Sequence, residues 1–325
     1  MKISSLITSI FGVVSLTLAS TASQAQSYPD RPVRIIVPYA AGGASDAVTR
    51  TVAAKLAEMW KVGVVVENRG GGGGNIGCEA AARSAPDGYT LLMATVGTHG
   101  INPAIFAKLP YDPVKDFEPV SLVASTVSIL TVNPALPVRS VQELVAYAKA
   151  NPGKLTFGSS GNGSSHHLAG EMLNMRANVQ TRHVPYKGTA SMMTDLLGGQ
   201  IDMTFDPIIS SLPHVKSGKL RALAVTSAQR VPMLPELPSM QEAGVPNYDV
   251  GSWYGLMAPA GTPRAIVAKI SADVARVVAM VDVKDKLVQQ GATSIGSTPD
   301  QLGAHVKSEI AKWAPIVKAS GATVN

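Results

Sequence analysis

Two stretches of the sequence decide the fold, residues 33–61 (VRIIVPYAAGGASDAVTRTVAAKLAEMWK) and residues 155–176 (LTFGSSGNGSSHHLAGEMLNMR). In each stretch, an apolar strand pattern leads into a loop of glycine and small polar residues, and a helical pattern follows. Such a loop directs free backbone N–H groups and the positive end of the helix dipole toward one point. Each stretch therefore predicts a seat for an anionic group, and two seats could hold one ligand at both ends.

The rest of the chain alternates short β-rich runs with helical patterns, which predicts an α/β fold with parallel-rich sheets flanked by helices. Strand patterns occur at 89–95 and 201–205. The apolar run at 120–132 is long enough to leave one lobe and enter another. A strand pattern at 251–258 follows a proline-rich segment and leads back to the first lobe.

These crossings predict two lobes with a cleft between them and a two-strand hinge beneath it. The first lobe comprises residues 26–122 and 249–325, and the second comprises residues 123–248. A chain of about 300 residues is long enough for two lobes with separate cores. A ligand seated between the lobes would be enclosed by rotation about the hinge.

Several helical patterns begin after a small hydroxyl-bearing residue, which can accept a hydrogen bond from the first turn of the helix. Two of these residues are followed by proline, which favours the first helical position. The predicted N-caps are Ser140, Ser164, Thr189, Thr262 and Thr298.

Residues 1–25 have the order of a secretory signal, with Lys2, an apolar run and small residues up to Ala25. We predict cleavage near Ala25 and a soluble, periplasmic mature protein. The apolar run is too short to span a membrane comfortably. The single cysteine, Cys78, excludes an internal disulfide and lies too far along the chain for a lipid anchor. We expect Cys78 to be a small buried residue near a helix start.

The composition argues against several functions. The formal net charge is +6 and the charges are scattered, which does not indicate a nucleic-acid surface. The histidines lack the spacing of metal ligands, so no metal site is expected. Gly72-x-Gly74-x-x-Gly77 formally matches a dinucleotide fingerprint, but no acidic residue ends the next strand pattern. We expect no cofactor and interpret this glycine run as a flexible turn at the rim or back of the cleft.

A hydrolase is disfavoured because the second loop contains no Gly-x-Ser-x-Gly elbow. His166 and His167 follow a run of serines, but neighbouring residues on a helix point about 100 degrees apart. No acid that would orient either histidine is evident in the sequence. We therefore interpret Ser164 as a helix cap and predict no catalytic residue.

The candidate ligand residues come from both loops and from two strand ends. Asp46 is expected to stabilise the helix start, because a carboxylate there would repel an acidic ligand. His167 could donate to a ligand or be a buried, satisfied histidine. Thr95 ends a strand where open α/β sheets bind ligands, and Asp206 could select an amine or hydroxyl or be a turn acid. The loop candidates are Gly42, Gly43, Ser45 and Asp46 in the first seat and Ser159, Ser160, Asn162, Gly163, Ser164 and Ser165 in the second.

The chain resembles the substrate-binding proteins of tripartite tricarboxylate transporters, also called the Bug or TctC-like family. The resemblance covers essentially the whole mature chain. It is carried by YPDRPVRIIVPYAAGGASD (28–46), VVVENRGGGGGNIG (64–77), APDGYTLL (85–92), FGSSGNGSSHHLAGE (157–171), HVPYKGTASMMTDLLGGQIDMTFD (183–206) and WYGLMAPAGTP (253–263).

The resemblance implies a type II periplasmic-binding-protein fold that closes on a small carboxylated molecule. The loop at 39–46, which adds Tyr39 and Ala44 to the candidates, is expected to hold one carboxylate, partly through ordered water. The loop at 159–165 is expected to hold the other end of the ligand, and the segment 95–99 with Asp206 to line the pocket.

The function implied is a non-catalytic receptor without a cofactor. It would capture an amino acid, a di- or tricarboxylate or an aromatic carboxylate, and deliver it to membrane subunits of the TctA/TctB type. A ligand-loaded sensor that signals to a two-component kinase is the main alternative. The second alternative is an enzyme, either a secreted hydrolase or a cofactor-binding enzyme.

Overall fold

The computed structural model describes residues 28–186, 188–231 and 233–323. The predicted signal sequence lies outside these residues and stays a prediction. The strands within them are β1 (Val33–Val37), β2 (Val64–Asn68), β3 (Thr90–Thr95), β4 (Phe117–Val132), β5 (Thr156–Ser159), β6 (Arg182–Pro185), β7 (Met203–Pro207), β8 (Arg221–Val225), β9 (Gly251–Pro259) and β10 (Ala292–Ser294). The helices are α1 (Ala44–Trp60), α2 (Asn75–Ala82), α3 (Asn102–Ile105), α4 (Val141–Ala150), α5 (Ser165–Ala177), α6 (Thr189–Leu197), α7 (Ile208–Lys216), α8 (Arg264–Ala279), α9 (Val281–Gln289) and α10 (Pro299–Ser320).

The first sheet has the strand order β2-β1-β3-β9-β4-β10. β1 is parallel to β2 and β3, whereas β9 runs antiparallel to both of its neighbours. α1 connects β1 to β2 and covers one face of this sheet. Its buried residues Val48, Val52 and Leu56 recur at helical spacing and pack against the apolar residues of the strands. The helical pattern of the first stretch is thereby confirmed.

The second sheet has the strand order β8-β4-β7-β5-β6. β5 is parallel to β6 and β7, and α5 follows β5. β7 and β8 run antiparallel to β4 on its two sides. The α/β class is confirmed, and both sheets are mixed because the strands beside the crossing are antiparallel.

The chain crosses between the two sheets twice, and the crossings are joined. β4 pairs with β9 as far as Val127 and with β7 from Ser128 onward. On the return path, the Thr226 amide donates to the Ser128 carbonyl oxygen, and the Val250 amide donates to the Thr226 carbonyl oxygen, both at 2.9 Å. The Thr226 hydroxyl lies within hydrogen-bond distance of the carbonyl oxygens of Ser128 and Val250. Both paths therefore pass through one hydrogen-bonded junction.

The largest apolar cluster runs through both halves of the molecule. It includes Ile36 of β1 in the first half and Phe157 of β5 in the second. α10 joins them, because its buried Leu302 and Trp313 belong to the same cluster and the helix packs against both β4 and α5. Other apolar clusters lie within one half each, so separate cores are present as expected, but a larger shared core joins the halves.

The N-cap predictions are partly confirmed. In three cases the side-chain hydroxyl accepts a hydrogen bond from an amide in the first helical turn, at Ser140, Ser164 and Thr298. Two predictions are wrong. Thr189 is itself the first residue of α6, after Gly188. α8 begins after Pro263, and the Thr262 hydroxyl donates to the Pro259 carbonyl oxygen instead.

Candidate functional site

The carboxyl ends of the parallel strands in both sheets point toward the crossing. In the first sheet, Thr95 at the end of β3 pairs with Tyr254, which in turn pairs with Ala124 of β4. In the second sheet, Asp206 near the end of β7 pairs with Ile129 of β4. Ala124 and Ile129 are separated along β4 by about 17 Å at the usual rise per residue. The loops that follow these strand ends therefore lie on either side of one gap between the halves.

The first loop is organised around the carboxylate of Asp46. It accepts hydrogen bonds from the Gly42 amide, from Arg50 Nε and from Asn68 Nδ2, each at 3.0 Å. Asn68 Nδ2 also donates to the Tyr39 carbonyl oxygen at 3.1 Å. Burial opposes the ionisation of Asp46, but the hydrogen bonds it accepts outweigh burial and lower its pKa. Asp46 therefore shapes the loop from within the protein.

The start of α1 leaves backbone amides available. Its N-cap is Gly43, which has extended backbone angles and makes no side-chain hydrogen bond. The amides of Ala44, Ser45 and Asp46 occupy the first helical positions, where no carbonyl of the same helix can accept from them. The helix dipole adds partial positive charge at the same point. This helix start can therefore bind an anionic oxygen.

Tyr39 and Thr95, which the resemblance places in the pocket, lie together behind the first loop. The Tyr39 hydroxyl is 3.1 Å from Thr95 Oγ1. The Thr95 amide donates to Thr98 Oγ1, also at 3.1 Å. Burial is the largest cause of the raised pKa of the Tyr39 phenol, so the hydroxyl keeps its proton and can donate.

The glycine run packs closely against this pair. Gly72–Gly74 forms a single 3-10 turn before α2. A Cβ at Gly74 would lie 2.6 Å from Thr98 Cγ2, and one at Gly97 would lie 2.6 Å from the Tyr39 hydroxyl. Both positions require glycine because the backbone approaches its neighbours so closely. Gly74 is therefore packed behind the first loop, whereas residues 71–73 are exposed, and our interpretation of the run as a flexible turn at the rim or back of the cleft stays a prediction.

The second loop uses many of its polar groups internally. Ser159 Oγ lies 2.6 Å from His183 Nε2 and accepts a hydrogen bond from the Gly161 amide at 3.1 Å. The Ser164 amide donates to the Gly161 carbonyl oxygen at 3.2 Å. The Ser164 hydroxyl caps α5 by accepting from the His167 amide at 3.3 Å. Ser159 and Ser164 therefore maintain the shape of the loop.

Other groups of the second loop remain open toward the gap. Asn162 is exposed, and Ser160 and Ser165 are half-buried. The amides of Ser165 and His166 occupy the first two positions of α5 and have no carbonyl partner within the helix. The second seat therefore offers fewer amides than the first, and more side-chain hydroxyls.

His167 is a buried histidine with its own partners. Its Nδ1 accepts a hydrogen bond from the Gly163 amide at 3.1 Å, which requires an unprotonated Nδ1. The ring stacks on His183, with centroids 3.8 Å apart and planes inclined by 13°. Burial lowers the pKa of His167 to about 4. Burial, with a smaller contribution from the His167 charge, lowers the pKa of His183 to about 3. Neutral His167 thus holds the backbone of the loop at Gly163.

His166, which is absent from our candidate residues, connects two residues that are among them, Ser160 and Asp206. Its Nε2 lies 2.9 Å from Asp206 Oδ1, and its Nδ1 lies 3.1 Å from Ser160 Oγ. The Ser211 hydroxyl donates to the other Asp206 oxygen at 3.2 Å. Asp206 is fully buried. Our expectation that no acid orients either histidine is therefore wrong. Asp206 was not recognised because it lies far from His166 in sequence and reaches it only through the pairing of β5 with β7.

The two halves contact each other beside this site. A Cβ at Gly163 would lie 2.5 Å from the Cδ1 atom of Ile105 in α3. Tyr254 of β9 is buried, and burial is the largest cause of the raised pKa of its phenol. Gly163 and Ile105 therefore form one contact between the two halves.

Within the part of the chain that the structure describes, no group of three or more His, Cys, Asp or Glu side chains is arranged to hold a metal ion. No helix among the same residues is long and apolar enough to cross a bilayer. Cys78 is buried in α2, as predicted, and burial raises the pKa of its thiol to about 12.

Comparisons with known proteins agree with this architecture. A model of the tripartite tricarboxylate transporter family receptor (TctC) matches residues 48–322. The structure of R. palustris Rpa4515 with adipate is 38% identical and has a TM-score of 0.85 over 91% of this chain and 100% of that one. Periplasmic binding protein BugD is 38% identical, with a TM-score of 0.81 over 91% and 99% of the two chains. MatC (Rpa3494) of Rhodopseudomonas palustris with bound malate is 35% identical, with a TM-score of 0.81 over 89% and 100%.

The two-lobed α/β fold and the loops that meet at one gap define the class of periplasmic solute-binding proteins. The chain belongs to the family of tripartite tricarboxylate transporter receptors, the Bug family. Members of this family are binding proteins and not enzymes, which confirms our prediction of a receptor rather than a hydrolase.

Proposed function

We propose that this receptor captures a small dicarboxylate in the gap between its lobes, outside the cytoplasm, and delivers it to membrane subunits of the TctA/TctB type. The observation that carries the proposal is the uncapped start of α1, whose first amides have no acceptor within the helix and can bind a carboxylate. Related structures contain adipate and malate, both of which carry a carboxylate at each end. Two carboxylates separated by a short chain match two facing seats.

The proposed ligand residues are those predicted from the sequence, with roles that differ according to their contacts. Amides at the start of α1 bind one carboxylate. Ser160, Ser165 and the start of α5 bind the other. Residues already engaged within the protein keep the loops in shape, and these are Asp46, Ser159, Gly163, Ser164 and His167.

Closure would involve the lobes predicted from the sequence, residues 26–122 with 249–325 and residues 123–248. The junction of Ser128, Thr226 and Val250 is the point about which they rotate. A ligand favours the closed form only through the extra contacts that it makes there. A micromolar affinity, about −8 kcal/mol, would suit capture followed by release.

The helix starts can be tested with proline, which lacks the backbone N–H group and is tolerated at the first position of a helix. Ala44→Pro removes one N–H group, whereas Ser165→Pro removes both the N–H group and the hydroxyl of Ser165. Ala44→Pro and Ser165→Pro are suitable because the preceding residues, Gly43 and Ser164, are already extended. Val281→Pro is the matched control, because Val281 is the exposed first residue of α9, outside both loops.

Calorimetric titration of the purified protein with adipate and malate tests the proposal. We expect binding by the wild type, and about tenfold or greater weakening in Ala44→Pro and Ser165→Pro, since a hydrogen bond to a charged group contributes about 1.5–3 kcal/mol. Val281→Pro should bind as the wild type does. Unchanged affinity in both loop variants, with melting temperatures like that of the wild type, would contradict the two-seat arrangement.

Export and delivery need separate measurements. The mature protein recovered from the periplasm should begin near Gln26, which N-terminal sequencing can show. Uptake of labelled ligand by vesicles that contain the membrane subunits should depend on added receptor. Binding without stimulated uptake, together with specific binding to a sensor kinase, would favour the signalling alternative.

A further inference from the structure

Three polar side chains at the second loop form a continuous hydrogen-bonded chain, of which the proposed function uses only the outer end, Ser160. Ser160 Oγ lies 3.1 Å from His166 Nδ1, and His166 Nε2 lies 2.9 Å from Asp206 Oδ1. His166 is 6% exposed and Asp206 is 0% exposed, whereas Ser160 is half-buried. Ser160 is therefore the end of the chain that a ligand can reach.

The direction of these hydrogen bonds depends on the charge of His166. The Asp206 carboxylate can only accept, so His166 Nε2 carries a proton and donates it. When His166 is neutral, its Nδ1 has a lone pair, and the Ser160 hydroxyl donates its single proton to that lone pair. Ser160 then presents only lone pairs to a ligand, which repel the oxygens of a carboxylate.

Protonation of His166 reverses the outer hydrogen bond. Nδ1–H then donates to Ser160 Oγ, and the hydroxyl proton of Ser160 is free to donate to a ligand carboxylate. The imidazolium also brings a positive charge, which favours an anionic ligand, while Asp206 compensates that charge from the buried side.

We propose that Ser160, His166 and Asp206 form a hydrogen-bond relay through which the receptor takes up one proton when it binds a fully ionised dicarboxylate. The proton comes from the solvent and is bound at His166 Nδ1, and no covalent bond to carbon changes. This inference rests on the proposed function and extends it by naming the protonation state in which the second seat accepts a carboxylate. By thermodynamic linkage, bound ligand strengthens proton binding at His166 by the same factor by which the bound proton strengthens ligand binding.

Other ionisable groups lie on the elements around α5. His167 and His183, with pKa values lowered to about 4 and about 3, stay neutral above about pH 6. Burial raises the pKa of Tyr254, which stays protonated. On α10, Glu309 is held by two tryptophan indoles and Lys312, and His305 has its pKa lowered by burial. Glu171 lies 3.7 Å from His167 Nε2, and burial raises its pKa, so it is the competing site for a linked proton.

The test is calorimetric titration with adipate in HEPES and in Tris, which differ in ionisation enthalpy, at several values between about pH 6.5 and about pH 8. The difference in heat between the buffers measures the protons bound per adipate. We expect net uptake of up to one proton, and an affinity that weakens by up to about tenfold per pH unit as pH rises.

Three variants assign the proton. His166→Gln retains an N–H donor toward Asp206 but cannot titrate, so the uptake and the pH dependence should disappear. Ser160→Ala removes the hydroxyl that joins the relay to the ligand and should reduce the uptake, because only the charge of His166 then favours the ligand. Unchanged uptake in Ser160→Ala would overturn the relay, and this variant supplies the test if His166→Gln fails to fold. Glu171→Gln, the matched control, should leave the uptake unchanged.

Adipate binding with equal heats in both buffers at every pH would overturn the relay and leave the receptor function intact. Uptake that persists in His166→Gln, or that disappears in Glu171→Gln, would overturn it as well. Failure of the wild type to bind either adipate or malate at any pH would overturn the proposed dicarboxylate function, and the relay with it.

Discussion

At the scale of single residues, Asp46 determines the shape of the first loop. Its carboxylate joins Gly42, Arg50 and Asn68, and its side chain is only 6% exposed. We predicted from the sequence that Asp46 supports the helix start, because the interaction of a carboxylate with the helix dipole depends only on its position in the first turn. We did not predict the contact with Asn68, because that contact depends on how β2 lies beside β1.

Asp46→Ala should lower the free energy of unfolding by about 1–3 kcal/mol, because it leaves the Gly42 amide and Asn68 without their partner. Glu79→Ala is the matched control. Glu79 also pairs with an arginine four residues later, Arg83, but its side chain is 32% exposed. The control should lose less than about 0.5 kcal/mol. Urea unfolding of both variants measures the difference, and equal losses would contradict the role of Asp46.

The lowered pKa values of His167 and His183 predict that the folded protein loses stability in mild acid. In the unfolded chain each histidine binds a proton near pH 6.5, about the ordinary histidine pKa. In the folded protein their pKa values are lowered to about 4 and about 3. Between about pH 6.5 and about pH 4 the unfolded state therefore binds more protons, and stability falls as pH falls.

The melting temperature of the wild type should therefore decrease from about pH 7 to about pH 5. The melting temperature of His183→Gln should decrease less over the same range, because one of the histidines with a lowered pKa is gone. Thermal unfolding followed by circular dichroism measures both slopes. An identical slope in the variant would show that other groups cause the acid sensitivity.

At the scale of elements, the loops of the two deciding stretches could be predicted because strand, glycine loop and helix are neighbours in sequence. Several elements that we did not predict have weaker local signals, and α7, α9 and β10 are examples. α7 follows β7 directly and contains Pro213, α9 follows α8 after Met280, and β10 has three residues. Their positions are fixed by packing, such as the pairing of β10 with β4, which no short window of sequence contains.

Helix capping provides a prediction at this scale, because one threonine has the cap geometry and another does not. Thr298 accepts from the Gln301 amide in a complete capping box, whereas Thr189 is the first helical residue and makes no cap. Thr298→Ala should cost about 1 kcal/mol of stability, and Thr189→Ala should cost almost nothing. Chemical denaturation of the two variants tests this, and a larger effect at Thr189 would contradict the assigned helix starts.

At the scale of the whole molecule, the two crossings could be predicted from the long apolar run and the returning strand. The continuous core could not, because it depends on α10 packing against both halves. The apolar pattern of α10 shows that one face is buried, but it does not identify the elements that cover that face. The relay from Ser160 to Asp206 was missed for a related reason, since adjacent strands brought it together.

The junction of the crossings predicts different effects for two buried threonines near it. Thr226 bridges the carbonyl oxygens of Ser128 and Val250. The hydroxyl of Thr131, further along β4, is buried without a hydrogen-bond partner among the described residues. Thr226→Val should lower stability by about 1–2 kcal/mol, whereas Thr131→Val should leave it unchanged or raise it. Unfolding experiments compare the two, and equal destabilisation would contradict the bridging role.

β4 is one unbroken strand shared by both sheets. Relative movement of the lobes therefore cannot come from a flexible linker at this crossing. It would have to come from twisting of β4, whose neighbours are hydrogen-bonded to it on each side of the crossing. Twisting of a paired strand leaves few residues to be ordered when a ligand binds, so little of the binding free energy would be lost in this crossing.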